Sequence, residues 1–127
     1  MQSAKNLHVY AKALELAKAV YLMTAAFPGE ERFGLTSQMR RAAVSIGSNI
    51  AEGCGRRGDK ELTGYLHIAL GSASELEFQC ELAIALEYIG KGDVEALLEL
   101  VTGIKRMLSR LIKAIAEKRP YRATSTV

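Results

Sequence analysis

The chain has no tryptophan, two prolines, two cysteines, two histidines and eight phenylalanines and tyrosines in 127 residues. Each scarcity removes a class of protein. Pro28 and Pro120 lie near the edges of long stretches without a helix breaker, so the interior is free to be helical. Cys54 and Cys80 are far apart and sit in no paired motif, which excludes a disulfide framework or zinc ribbon and suits a reducing compartment. No uninterrupted apolar run reaches the roughly 20 residues of a membrane span, and the first residues are polar, unlike a secretory leader. The expectation is a cytoplasmic chain with no membrane partner.

Nearly half of the residues are apolar (49%), enough for one core without metals or cross-links. The net charge of +3 is too small to name a partner, but its distribution is uneven. Residues 31–60 hold six basic and three acidic side chains, 61–99 one basic and eight acidic, and 100–127 seven basic and one acidic. A bundle built from such segments carries separate basic and acidic surfaces. Those surfaces either pair with each other across helices or subunits, or present a basic face to an anionic partner.

Apolar periodicity predicts four helices in one domain spanning 1–127: about 6–27, 36–54, 59–89 and 93–118, with a mobile tail at 119–127. In the first, Asn6 is the expected cap. Leu7, Tyr10, Leu14, Ala17, Tyr21 and Thr24 form one stripe, and Val9, Ala13, Leu16, Val20, Met23 and Phe27 a second. In the second, Thr36 or Ser37 is the expected cap and Met39, Ala43, Ile46 and Ile50 the core stripe. The third, opened by Asp59 and closed by Gly90, is about 45 Å long at 1.5 Å per residue. It carries Leu62, Leu66, Ala69, Ala73, Leu76, Cys80 and Ala83 on one side and Phe78, Leu82, Ala85 and Ile89 on nearly the other. Two apolar sides on one helix predict an interface with another subunit along Phe78, Leu82 and Ile89. In the fourth, opened at Gly92-Asp93, Leu97, Val101, Ile104, Leu108, Leu111, Ile112 and Ile115 face inward. Short loops between such helices make an all-α, antiparallel up-down four-helix bundle.

No catalytic constellation emerges. His8 and His67 fall on different helices without ligand-spaced partners, and no helix carries the Glu-x-x-His pattern of di-iron bundles, so no catalytic residue, metal or cofactor is expected. Glu75, Glu77 and Glu81 read as solvated charge. Arg56 and Arg57 beside Cys54 could lower its pKa, although a buried structural thiol is the simpler reading. Gly53-Cys-Gly-Arg-Arg-Gly58 lacks the Lys-Ser/Thr ending of a phosphate loop and follows no strand, so its glycines read as a break between helices. The strip Ser45, Ser48, Asn49, Glu52 suits close helix approach, with Ser45 and Asn49 placed at an interface and Arg41–Glu52 as an ion pair; a ligand site is the other reading.

The basic set is the functional candidate. Arg40, Arg41, Arg56, Arg57, Lys105, Arg106, Arg110 and Lys113, with Lys60 and Arg119 nearby, provide the dispersed cations that a phosphate backbone needs. Few aromatics are free to stack on bases, so binding would follow shape and charge.

One run is distinctive: Phe27-Pro28, Glu31, Phe33-Gly-Leu-Thr-Ser-Gln-Met-Arg-Arg-Ala-Ala43, Ser45-Ile46 and Ser48-Asn-Ile-Ala-Glu-Gly53, continued by Ala69-Leu-Gly-Ser72 and Glu75-Leu-Glu77. On these residues the chain resembles the four-helix-bundle family encoded in intervening sequences of bacterial 23S ribosomal RNA genes, over about residues 5–115, with Gly47 where relatives often show proline. The resemblance implies a bundle assembled into a ring, a pentamer, and kinship with the accessory variability proteins of diversity-generating retroelements, which bind nucleic acid and a reverse transcriptase. It implies no enzymatic activity. Residues and resemblance together lead to the expectation of a non-enzymatic homo-oligomer binding nucleic acid, structured RNA first. The alternative is a protein-interaction scaffold or accessory subunit of a polymerase or reverse transcriptase.

Overall fold

The computed structural model describes residue 4 and residues 7–118. Four helices fill it: α1 His8–Thr24, α2 Leu35–Cys54, α3 Asp59–Ala85 and α4 Lys91–Ala116, with one short 3-10 turn at Gly29–Glu31. Among the described residues there is no strand. Each helix packs on its neighbour in the chain and α4 closes on α1, while the diagonal pairs stay apart, so the chain runs up and down around one core.

The predicted stripes are that core. Met39, Ala43, Ile46 and Ile50 of α2 are fully buried, as are Leu66, Ala69, Ala73, Leu76, Cys80 and Ala83 of α3. α4 contributes Val101, Ile104 and Leu108. Of the two stripes on α1, only the one holding Val9, Ala13, Leu16 and Val20 is uniformly interior. The other includes exposed Leu14 and Tyr21, because α1 is covered on the α2 and α4 sides only. Each large aliphatic side chain withdrawn from water contributes roughly 1.5–3 kcal/mol, so these stripes dominate the stability.

Helix ends differ from the sequence expectation in instructive ways. The expected cap Asn6, and the tail at 119–127 with Arg119, lie outside the described residues. α1 stops at Thr24 rather than Phe27: the Thr24 hydroxyl donates back to the Val20 carbonyl at 2.7 Å, and the chain turns so that Phe27 sinks into the core. α2 begins at Leu35, capped by neither Thr36 nor Ser37. Instead the Glu31 carboxylate, from the preceding turn, accepts the Leu35 N–H at 2.9 Å. Gly58 rather than Asp59 precedes α3, leaving Asp59 and Glu61 in its first turn, where the helix dipole favours negative charge.

α3 ends at Ala85, short of Ile89. Glu87 adopts a left-handed φ of 63°, the Tyr88 N–H reaches the Ala83 carbonyl at 3.0 Å, and the Glu87 N–H reaches that of Ile84 at 2.9 Å. This pair of bonds is a Schellman motif with glutamate in the position glycine usually fills. Gly90, expected to close α3, therefore precedes α4, which starts at Lys91, before Gly92-Asp93.

Candidate nucleic-acid interface

The eight cations singled out from the sequence divide into two groups. Three have partners inside the bundle. Arg40 donates through Nε to Thr24 Oγ1 at 2.9 Å and through Nη2 to the Tyr21 carbonyl at 3.3 Å, and lies 4.5 Å from the Tyr21 ring centroid. It thus brings positive charge to the C-terminus of α1, where unpaired carbonyls accumulate. Arg56 donates through Nη2 to Glu52 at 2.7 Å and to the Tyr65 hydroxyl at 2.9 Å, with its guanidinium 5.1 Å from the Tyr65 ring centroid. Tyr65, then Glu52, hold this guanidinium even more firmly protonated than usual. Glu52 therefore pairs with Arg56, one turn along the same helix end, and not with Arg41, which lies eleven residues and about three turns back on α2. Lys105 donates to Glu77 at 2.7 Å and ties α4 to α3.

The other five, Arg41, Arg57, Arg106, Arg110 and Lys113, are exposed and carry no hydrogen bond or ion pair among the described residues. Arg106, Arg110 and Lys113 follow one another at i, i+4 and i+7, so they share one outward face of α4. The same face carries exposed Glu95 and Glu99 in the first half of the helix, so its charge reverses along its length. Cations in the last turns also suit the helix dipole, which is the structural role open to Lys113. The up-down order brings the C-terminal half of α4 to the end of the bundle that holds Arg57 in the α2–α3 connection and Lys60 in the first turn of α3. Arg41 lies towards the other end, near Arg32 and Arg40.

The remaining candidates are placed as follows. The Ser45 hydroxyl meets that of Ser72 on α3 at 2.9 Å, and Asn49 Nδ2 donates to the Ser45 carbonyl at 2.8 Å and hydroxyl at 3.0 Å. Ser45 thus serves the α2–α3 contact within the chain, and Asn49 braces Ser45 from one turn along α2. The two helices come close together at Gly53, where a Cβ would lie 2.9 Å from Tyr65 Cβ and 3.0 Å from Leu62 Cδ1. Phe78 is 65% exposed, Leu82 and Ile89 half-buried.

Sequence reasoning missed a second exposed apolar set, Leu14, Tyr21, Phe33 and Val44, along the α1–α2 seam. Its signal is the i, i+7 pair Leu14–Tyr21, lying off the Val9–Leu16–Val20 line. Also missed was the link between Glu31 and Tyr88, whose hydroxyl donates to the carboxylate at 2.7 Å. Tyr88 and Leu35 hold the Glu31 carboxyl below its ordinary value, and the same bond pushes the Tyr88 phenol up.

Among the described residues no group of three His, Cys, Asp or Glu side chains could hold a metal ion, and no helix is long and apolar enough to cross a membrane. Burial raises the pKa of both thiols, Cys80 to about 12, so Cys54 follows the buried-thiol reading and not the lowering that its neighbouring arginines could have caused.

Residues 5–110 match the family described as 23S rRNA-intervening sequence protein. The chain belongs to this family. A solved structure gives the same answer for the fold: a protein from Bacteroides thetaiotaomicron VPI-5482, described as of unknown function and from the S23 ribosomal protein family, is 31% identical and superimposes with a TM-score of 0.75. The similarity covers 83% of this chain and 98% of that one. No curated protein matches. The run Phe33–Gly53 that carries the resemblance holds the Glu31-capped start of α2, the Arg40 bonds to α1 and the glycine contact with α3.

Proposed function

We propose that this member of the 23S rRNA-intervening sequence family is a non-enzymatic, homo-oligomeric protein of the cytoplasm that binds nucleic acid, structured RNA in the first place, through repeated basic patches. The observation that carries the reading is the partnerless face Arg106, Arg110 and Lys113, with Arg57 at the same end of the bundle. Free guanidinium and ammonium groups on a rigid helix suit phosphates, and an oligomer repeats each patch. Arg40, Arg56 and Lys105 take supporting roles within the bundle. The family name is consistent with RNA as the ligand.

The test is binding of nucleic-acid-free protein to labelled RNA hairpins and duplex DNA across a salt series. Affinity should fall linearly in log–log form with salt. Arg106→Ala with Arg110→Ala should weaken binding to both ligands and lower the slope by about one for each phosphate that a subunit no longer neutralises. Absence of salt-dependent binding in about 50 mM salt or less, where electrostatic binding is strong, overturns the reading. An accessory subunit for another protein would then be favoured by the acidic, apolar outer face of α3, and co-purification should recover a protein with a basic docking surface.

A further inference from the structure

We infer that copies of this chain associate head to tail through two different faces: the outer ridge of α3 on one copy seats in the α1–α2 groove of the next. The inference rests on the oligomeric part of the proposed function and names the surfaces that make the oligomer.

The groove is apolar and basic. Its floor is Tyr10, Ala13 and Gly47, its walls are Leu14 and Val44, and it continues past Tyr21 to Phe33, Arg32 and Arg41. No acidic residue lines it. Leu14 is 66% exposed and Phe33 87%, an apolar exposure that a soluble monomer has no reason to carry in one line.

The ridge is apolar and acidic. Ile68, Glu75 and Leu82 follow at seven-residue spacing with Phe78 beside them and Leu86 beyond; Ile68 and Phe78 are 53% and 65% exposed. Glu75 stands in the middle of this line without a partner among the described residues. Gly64 and Gly71 occupy the same face. Each weakens a helix interior by about 1 kcal/mol relative to alanine, and a Cβ at either position would meet nothing within 4 Å. Nothing inside the protomer uses these glycines; a surface pressed against α3 would.

Charge selects between the two long grooves that could receive the ridge. The α1–α4 groove is lined by Glu15, Asp93 and Glu99 against one lysine, Lys12, and repels Glu75 and Glu81. The α1–α2 groove offers Arg41, exposed and partnerless, to Glu75. Because ridge and groove are different surfaces, each copy has one of each left to offer, and the contact passes from copy to copy into a closed ring or an open chain according to its rotation. Arg41 then belongs to the contact between copies, leaving the α4 face and Arg57 for phosphate.

Mass in solution tests this directly. Leu14→Asp/Val44→Asp breaks the groove and Ile68→Asp/Phe78→Asp breaks the ridge, all at exposed positions, with circular dichroism to verify folding. Wild type should be a multiple of 13.8 kDa and each variant alone a monomer. An equimolar mixture should stop at a dimer, since one intact ridge meets one intact groove and nothing further. A second pair keeps the fold untouched: Arg41→Glu and Glu75→Arg should each weaken association roughly tenfold or more, and the two together in one chain should restore it. A wild-type protein that is monomeric overturns the oligomeric reading and this inference together. A wild-type oligomer that persists in either broken variant, or a mixture that yields no dimer, overturns this inference alone.

Discussion

Glu31 serves two helix ends with one side chain. One oxygen takes the first free N–H of α2 and the other takes the hydroxyl of Tyr88 beyond the end of α3, 57 residues along the chain. Tyr88 also packs against Phe27, with ring centroids 5.5 Å apart, so the inter-helix segments at this end are joined through these side chains. Both donors favour the charged carboxylate, which lowers its folded pKa below 4.5. A carboxyl group lowered on folding adds stability that is fully present above its unfolded pKa and is lost as pH falls through the folded value. The melting temperature should therefore drop on acidification below about pH 4.5, and Glu31→Gln should flatten that part of the profile while lowering its neutral plateau. Tyr88→Phe removes the larger of the two causes, so an NMR titration should find the Glu31 carboxyl moved back towards its ordinary value. An unchanged Glu31 titration in Tyr88→Phe contradicts the assignment.

At the scale of the helix, glycines on facing elements have opposite meanings. Gly53 lets α2 approach α3 so closely that an added methyl meets Tyr65 and Leu62. Gly53→Ala should destabilise by about 1–3 kcal/mol, the usual range for overpacking. Gly64→Ala, between those two residues in sequence but in open space on the outer side of α3, should stabilise a monomeric background by about 1 kcal/mol. Urea unfolding of both variants in the groove-broken chain checks the pair; equal signs would refute it. The period of apolar residues made the core stripes of α2, α3 and α4 legible in the sequence, because burial on one face leaves a 3.6-residue signature. The helix ends were not legible in the same way. Thr36, Ser37 and Asp59 are good local caps, yet the start of α2 is satisfied by Glu31 from the preceding turn and α3 ends on a left-handed glutamate, Glu87, that no propensity favours.

At the scale of the whole molecule the same limit applies to charge. Counting cations along the chain located the basic segments, but it could not separate Arg40, Arg56 and Lys105, taken up by Thr24, Glu52, Tyr65 and Glu77, from the five left free. Those partners lie up to 28 residues away and are set by helix pairing, which a linear reading does not contain. The outer apolar stripe of α3 was legible at Phe78, which lies off the core stripe and is left 65% exposed. The α1–α2 seam was not, because Leu14 and Tyr21 read as a second interior stripe until the position of α4 showed which sides of α1 are covered.

The interior placement of Cys80 has a kinetic consequence. With its pKa pushed up to about 12, Cys80 stays in the unreactive thiol form near neutral pH, and the thiol has no exposed surface while the helices are together. Half-buried Cys54, in the last turn of α2, is less sheltered. Under pulses of an alkylating reagent, mass spectrometry should find Cys54 modified first and Cys80 only as fast as the four helices separate. Raising the reagent concentration should then accelerate Cys54 alone once opening limits the other. The chain thus contains its own pair of labels for local fraying and global opening, and comparable rates at the two sites would mean that α3 leaves the core without the rest of the bundle unfolding.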